Sequence, residues 1–404
     1  MKFSTTATIV ATTLALAGSQ AKPLFEADAV FDPEVESHGH VHASCIVECP
    51  NGDLRAVWYE NGSPLQPPYF SEQQDKSDDV RIGGARKPKG VDAWEEPFVM
   101  ADTFGASDNN PCMVVDGQQR LWLIYPTLTG VPKWTWASAL LRYRVSSDYE
   151  RPGRPTWDKV DVLIPHVEGL QDVLDETLQK VEKAGAISKE EMAQWREETA
   201  EAMKNPLVMR FGFMPRAHPL VRSDGTLIVP LSNENFDIPV MAMTGDGGET
   251  WTFSKPVPSA GLSQPTLVEF PDGKIVAFFR NGFPDKRVRR SESEDGGMTW
   301  SEVASTDLPH PNAGIEALLL RSGRLLMIYN DTEEDPRDKL AVSISADRGK
   351  TWKWTRHLED TPDGRFDYPS VIQAKDGTLH ATYSHNLKTV KHVHFNEEWV
   401  QDGD

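Results

Sequence analysis

Ser293-Glu294-Asp295-Gly296-Gly297-Met298-Thr299-Trp300 is one of three copies of an eight-residue pattern. Thr244-Gly245-Asp246-Gly247-Gly248-Glu249-Thr250-Trp251 precedes it, and Ser345-Ala346-Asp347-Arg348-Gly349-Lys350-Thr351-Trp352 follows. Each copy reads as a hairpin turn. The hydroxyl and carboxylate bond backbone amides, glycine takes φ > 0, and the tryptophan packs beneath. A single match to S/T-x-D-x-G-x-T-W carries little weight, but three at regular spacing mark a repeat architecture.

A longer unit recurs around these turns: an apolar run, a Gly turn, then a second apolar run. The second runs are Arg55-Ala56-Val57-Trp58-Tyr59, Leu121-Trp122-Leu123-Ile124-Tyr125, Leu227-Ile228-Val229-Pro230, Ile275-Val276-Ala277-Phe278-Phe279, Leu325-Leu326-Met327-Ile328-Tyr329 and Leu379-His380-Ala381-Thr382-Tyr383. A third strand and a Trp-marked turn follow, degenerate at Trp94 and Trp157. Six units predict an all-β chain folded as a six-bladed β-propeller. N-terminal residues around 24–31 are expected to complete the last blade beside residues 391–395, closing the ring. Only residues 167–204 break the period. There Leu170, Val173, Leu174, Leu178 and Val181 recur at helical spacing, and Ser188 with Glu191 reads as a capping box. A helical hairpin inserted between blades two and three is expected, serving as packing or as a wall beside a pocket.

Met1-Lys2 and the apolar run from about Ala7 to Ala17 read as a signal peptide ending at Ala21, which makes residues 22–404 one secreted propeller domain. Asn61-Gly62-Ser63 and Asn330-Asp331-Thr332 are sequons consistent with that route. A net charge of −19 argues against nucleic acid and anionic membranes as partners. A monomer acting on an oligosaccharide or polysaccharide, without a cofactor, is the expectation. Cys45 and Cys49 share a strand and cannot pair with each other. A bond from one of them to Cys112, or buried free thiols, both remain open.

Aligning the six units on their first strands places His42, Asn110, His218, Gln264, Glu316 and Tyr368 at one equivalent position, mostly before Pro or Ala. All six are polar, where a core strand start favours apolar residues, so a wet convergent pocket at the axis is expected. Arg216, two residues before His218, shares its face. Arg280 ends a second strand, Arg337 precedes a third, and the planar fork of arginine suits carboxylates. His38, His40 and His42 alternate on one strand, but no further cluster completes a metal site, and none is expected.

These motifs resemble the Asp-box (BNR) repeat proteins of the sialidase-like superfamily, and in particular its secreted "predicted sialidase" branch. The resemblance implies a Tyr-Pro-Ser-Val nucleophile context at Tyr368, carboxylate-binding arginines at Arg280 and Arg337, and an acid/base aspartate at Asp79 or Asp78. Two positions depart. The family's first arginine is replaced in the His40–Ser44 region, and the glutamate that partners the tyrosine falls on Gln264. Glu316 on the adjacent blade is then the expected base for Tyr368. The resemblance then implies an exo-glycosidase working on a terminal sugar, acidic or neutral, though not an efficient sialidase, because one arginine is missing. A lyase is the alternative, with arginines neutralising a uronate and His42, His218 or Tyr368 removing the C5 proton. A non-catalytic glycan-binding propeller would instead use an aromatic platform of Tyr69, Phe70, Trp134 and Trp136.

Overall fold

The computed structural model of the chain describes residues 22–35, 38–62, 74–130, 135–184 and 188–403. The expected signal peptide, Ser63, Tyr69, Phe70 and Trp134 lie outside them. Among the described residues the chain forms six antiparallel sheets in sequence order. Their first strands touch in a ring: His42–Glu48 contacts both Cys112–Val115 and Phe366–Gln373, and Leu262–Glu269 contacts Glu316–Leu319. The strand Phe25–Ala29 pairs with Thr389–Phe395, from Phe25 opposite Phe395 to Ala29 opposite Lys391, so the N-terminus completes blade six as expected.

Blades pack face to face, which explains why the second strands read as continuous apolar runs and not as alternating ones. Leu54–Glu60, Leu227–Asn233 and Leu325–Asn330 are buried at every position. The Asp-boxes sit at the joints between blades. In the box at Ser293, its hydroxyl accepts the Gly297 amide at 2.8 Å and Asp295 accepts the Thr299 amide at 2.9 Å. The box at Ser345 repeats this with Gly349 at 2.8 Å and Thr351 at 2.8 Å. Gly349 has φ +79°, and its bare α-carbon lies against Phe278 of the preceding blade. The boxes are therefore structural in this chain.

The insertion forms helix α1 (Leu170–Ala184) and helix α2 (Lys189–Ala202) between blades two and three. Leu170, Val173, Leu174 and Leu178 of α1 are buried, and the Ser188–Glu191 capping box opens α2. The three cysteines are buried free thiols. Asn330 is also buried, and its amide donates to the Phe366 carbonyl at 2.8 Å, so this sequon presents no glycan acceptor at the surface.

Candidate active site

At the axis, the first strands of blades one, four and six each carry one extra residue. His42 pairs with Tyr59 and Cys45 with Val57; Ser263 pairs with Arg280 and Thr266 with Phe278; Asp367 pairs with Ser384 and Ser370 with Thr382. The bulged residues Ala43, Gln264 and Tyr368 take φ of +53°, +48° and +51°, and Asn110 of blade two takes +34°. Positive φ in a non-glycine residue is strained, and a following proline, as at Pro111, Pro265 and Pro369, opposes compact backbone further. These bulges re-aim side chains toward the axis. They also correct the alignment of blade one: Ala43, not His42, is equivalent to Gln264 and Tyr368.

The register further splits the expected ring into two layers. Cys45, Cys112, His218, Thr266, Glu316 and Ser370 form a lower belt beneath the bulges. Ile46 N donates to Ser370 Oγ at 3.1 Å, Met113 N to Cys45 Sγ at 3.2 Å, Ala317 N to Thr266 Oγ1 at 3.0 Å and Val371 N to Glu316 Oε2 at 3.2 Å. In blades one, two, five and six a first-strand amide thus bonds a side chain of the blade before it. Glu316 Oε1 also accepts both His218 N and His218 Nδ1 at 2.7 Å. Burial opposes both charges of this pair. Cys45 and Glu316 nevertheless push the His218 pKa well up, while His218 and Arg216 hold Glu316 down. Glu316 and His218 therefore join blades, and neither reaches the hydroxyl of Tyr368. The expectations of Glu316 as base and of His218 in the pocket are corrected on this ground.

Above the belt opens a cavity of about 350 Å³, lined by His42, Asn110, Gln264, Arg280, Arg337 and Tyr368 as expected. Tyr59, Asp75, Trp136, Glu234, Asp237, Asn312 and Arg365 line it too. At its floor Tyr368 Oη accepts from Arg280 Nη1 at 2.7 Å and from Gln264 Nε2 at 3.2 Å. Arg216 is buried below the cavity. Its guanidinium lies 5.1 Å from the Tyr368 ring centroid and donates to the Pro369 carbonyl. Gly314 makes room for both, since a Cβ there would meet Arg216 Nε at 2.9 Å and the Tyr368 ring at 3.2 Å.

The cavity holds three arginines, not two. Asn312 Oδ1 accepts Arg280 Nε at 2.7 Å, and its carbonyl accepts Arg337 Nη2 at 3.0 Å. Asp367 bridges Arg337 at 2.9 Å and Arg365 at 2.6 Å. Burial alone would raise the pKa of Asp367, but its ion pairs with Arg337 and Arg365 keep it low. Burial lowers His42 to about 3, and its Nδ1 bonds Ser384 Oγ at 2.9 Å, so its ring is neutral and packs 4.3 Å from Tyr368. His38 turns instead to Glu60 at 3.0 Å.

Asp79 is held outside the cavity by Asn61 Nδ2 at 3.0 Å, the Gly62 amide at 3.3 Å and Ser77. Neither it nor Asp78 is among the lining residues; on that loop Asp75, in the short helix Gln74–Lys76, takes the place instead. Sequence reading also missed Arg365, although it stands only three residues before Tyr368. Glu234 follows the second strand of blade three much as Arg280 ends that of blade four, a positional signal that went unused. Among the described residues, none of the helical insertion lines the cavity. The short helix Pro206–Arg210 that follows it braces the loop holding Glu234, because Asn235 Nδ2 donates to the Val208 and Phe211 carbonyls, each at 3.2 Å.

Residues 65–381 match the BNR repeat-like domain family, well over half of the chain. The chain belongs to this family and is a sialidase-like β-propeller. A sialidase of Clostridium perfringens is 31% identical over 87 residues, a stretch that covers 20% of this chain and 22% of that enzyme. A Hadza microbial sialidase superposes with a TM-score of 0.68 at 15% identity, covering 93% of this chain and 69% of that one. The intramolecular trans-sialidase of Ruminococcus gnavus gives 0.64 at 12% identity, over 91% and 97%. A Dyadobacter fermentans protein of unknown function gives 0.65 at 16%, over 92% and 98%. At such identities these structures establish the fold.

Proposed function

We propose that this chain is a secreted exo-glycosidase that removes a terminal carboxylate-bearing sugar, with Tyr368 as nucleophile. The observation that carries the reading is the floor of the cavity. The hydroxyl of Tyr368 receives Arg280 and Gln264, while Arg280, Arg337 and Arg365 are yoked together by Asn312 and Asp367. Three guanidinium groups fixed in advance suit a carboxylate. A neutral phenol can attack the anomeric carbon of an anionic sugar without the repulsion that a carboxylate nucleophile would meet. Asp75, across the cavity, is the group assigned to protonate the leaving oxygen. With Arg365 present, the objection to a sialic acid as substrate falls away.

Sialosides, other ulosonic acid glycosides and uronate glycans, screened with reducing-sugar release and 235 nm absorbance followed together, test the reading. Release of a terminal acidic sugar, reduced at least a thousandfold in Tyr368→Phe, is expected. An absorbance rise on uronates would establish a lyase instead. That reading is less favoured because His218, one of its candidate bases, lies in the belt below the cavity. Binding without turnover would leave a lectin.

A further inference from the structure

We infer that Glu234 is the proton acceptor for Tyr368, exchanging the phenol proton across the cavity by way of a water; this rests on the glycosidase reading above. Gln264 and Arg280 both donate to the phenol oxygen. An amide can hold the phenol but has no basicity to take its proton, and a guanidinium has none to spare. The proton must therefore leave toward a carboxylate in the cavity.

Glu234 is the carboxylate built into the Tyr368 network. Ser232 Oγ donates to Glu234 Oε1 at 3.1 Å and accepts the Gln264 amide N–H at 3.2 Å, while Gln264 Nε2 reaches Tyr368. Glu234 and Tyr368 line one cavity. Burial, with Asp237 on the same loop, raises Glu234 to about 7, against the opposing pull of Arg280 from blade four and Lys76 from blade one. A group that changes protonation near neutral pH is suited to give and take one proton per turnover. Asp237 lies exposed at the rim.

The steps balance. Tyr368 Oη forms a bond to the anomeric carbon as its proton passes to the Glu234 carboxylate. The glycosidic C–O bond breaks, and the leaving oxygen takes a proton from Asp75. Water then attacks the anomeric carbon, giving a proton to Asp75, and the tyrosyl bond breaks as Glu234 returns its proton to Oη.

The test compares wild type, Glu234→Gln and Asp75→Asn on the 4-nitrophenyl and methyl α-glycosides of N-acetylneuraminic acid. Glu234→Gln should lose about 10²–10⁴-fold in kcat/KM on both, and with it the ionisation near pH 7. Asp75→Asn should lose activity mainly on the methyl glycoside, whose leaving group needs the proton. Glu234→Gln keeping both rate and pH profile, in an enzyme that turns over either glycoside, would overturn the assignment and leave the glycosidase reading intact. If wild type hydrolyses neither, that reading fails for this sugar. Calorimetry of N-acetylneuraminic acid binding in buffers of different ionisation enthalpy then decides. Uptake of a fraction of a proton at pH 7 by wild type, absent in Glu234→Gln, supports the assignment. No binding, or binding without that difference, overturns it.

Discussion

Asp367 and Arg337 form an ion pair at 2.9 Å, and the Asp367 side chain is wholly inaccessible to solvent. The same carboxylate holds Arg365 from the other side at 2.6 Å. One buried anion thus sets the spacing of two of the three cavity arginines, and Asn312 ties in the third.

Asp367→Asn keeps the shape but removes the charge. Breaking a buried pair typically costs about 3–5 kcal/mol, because the remaining cation stays desolvated. The variant is expected to show a lower urea midpoint and a roughly tenfold to hundredfold weaker affinity for a sugar acid. Denaturation and calorimetry on the same preparation read both.

Acid should unfold the chain through its neutral histidines. Burial lowers His42, His310 and His380 to about 3 each. An unfolded histidine titrates near 6.5, so below that pH the unfolded state binds protons that the native state does not. Stability is full above pH ~6.5 and falls by about 1.4 kcal/mol per unit for each group as pH drops toward 3. Both ring nitrogens of His310 are buried without a hydrogen-bond partner. His310→Leu should therefore narrow the gap between urea midpoints at pH 8 and pH 5. An unchanged gap would contradict this.

The fold was legible in sequence because its signals are local. Turn residues at Asp246, Asp295 and Asp347 and continuous apolar second strands each recur at a fixed place in the unit. The cavity was legible in part. Tyr368, Gln264 and Asn110 followed from counting back from the Gly turns, and Arg280 and Arg337 from their places beside the second and third strands. That count assumes uniform strands, and the bulges at Ala43, Gln264 and Tyr368 are not uniform. Blades three and five set His218 and Glu316 two residues deeper, in the belt. Asp75, Glu234 and Arg365 come from loops, whose reach depends on backbone course and not on periodicity.

Gly349→Ala tests the Asp-box joints. A Cβ there would meet Phe278 at 2.8 Å and Leu325 at 3.0 Å, with φ at +79°. Gly377→Ala, with φ +95° and open space around it, carries only the backbone penalty. Gly349→Ala should be the more destabilising by roughly 1–3 kcal/mol of overpacking. Equal losses in urea midpoint would show that the box does not pack between blades.

Gly314→Ala separates position from stability. Its Cβ would press on Arg216 Nε and on the Tyr368 ring, displacing the phenol by a few tenths of an ångström. Turnover should fall at least tenfold, with the carboxylate affinity nearly kept, because misplacement by even ~1 Å is worth about 10² in rate. A parallel loss of affinity would mean that the arginines had moved as well.

The most direct measurement is covalent trapping. A 2,3-difluoro ulosonic acid carries a good leaving group and a fluorine that slows release of the glycosyl-enzyme. Intact-mass and peptide mass spectrometry after incubation should show one added sugar, on the peptide containing Tyr368, and none in Tyr368→Phe. Turnover of acidic glycosides with no adduct, or an adduct on another residue, would contradict Tyr368 as the nucleophile.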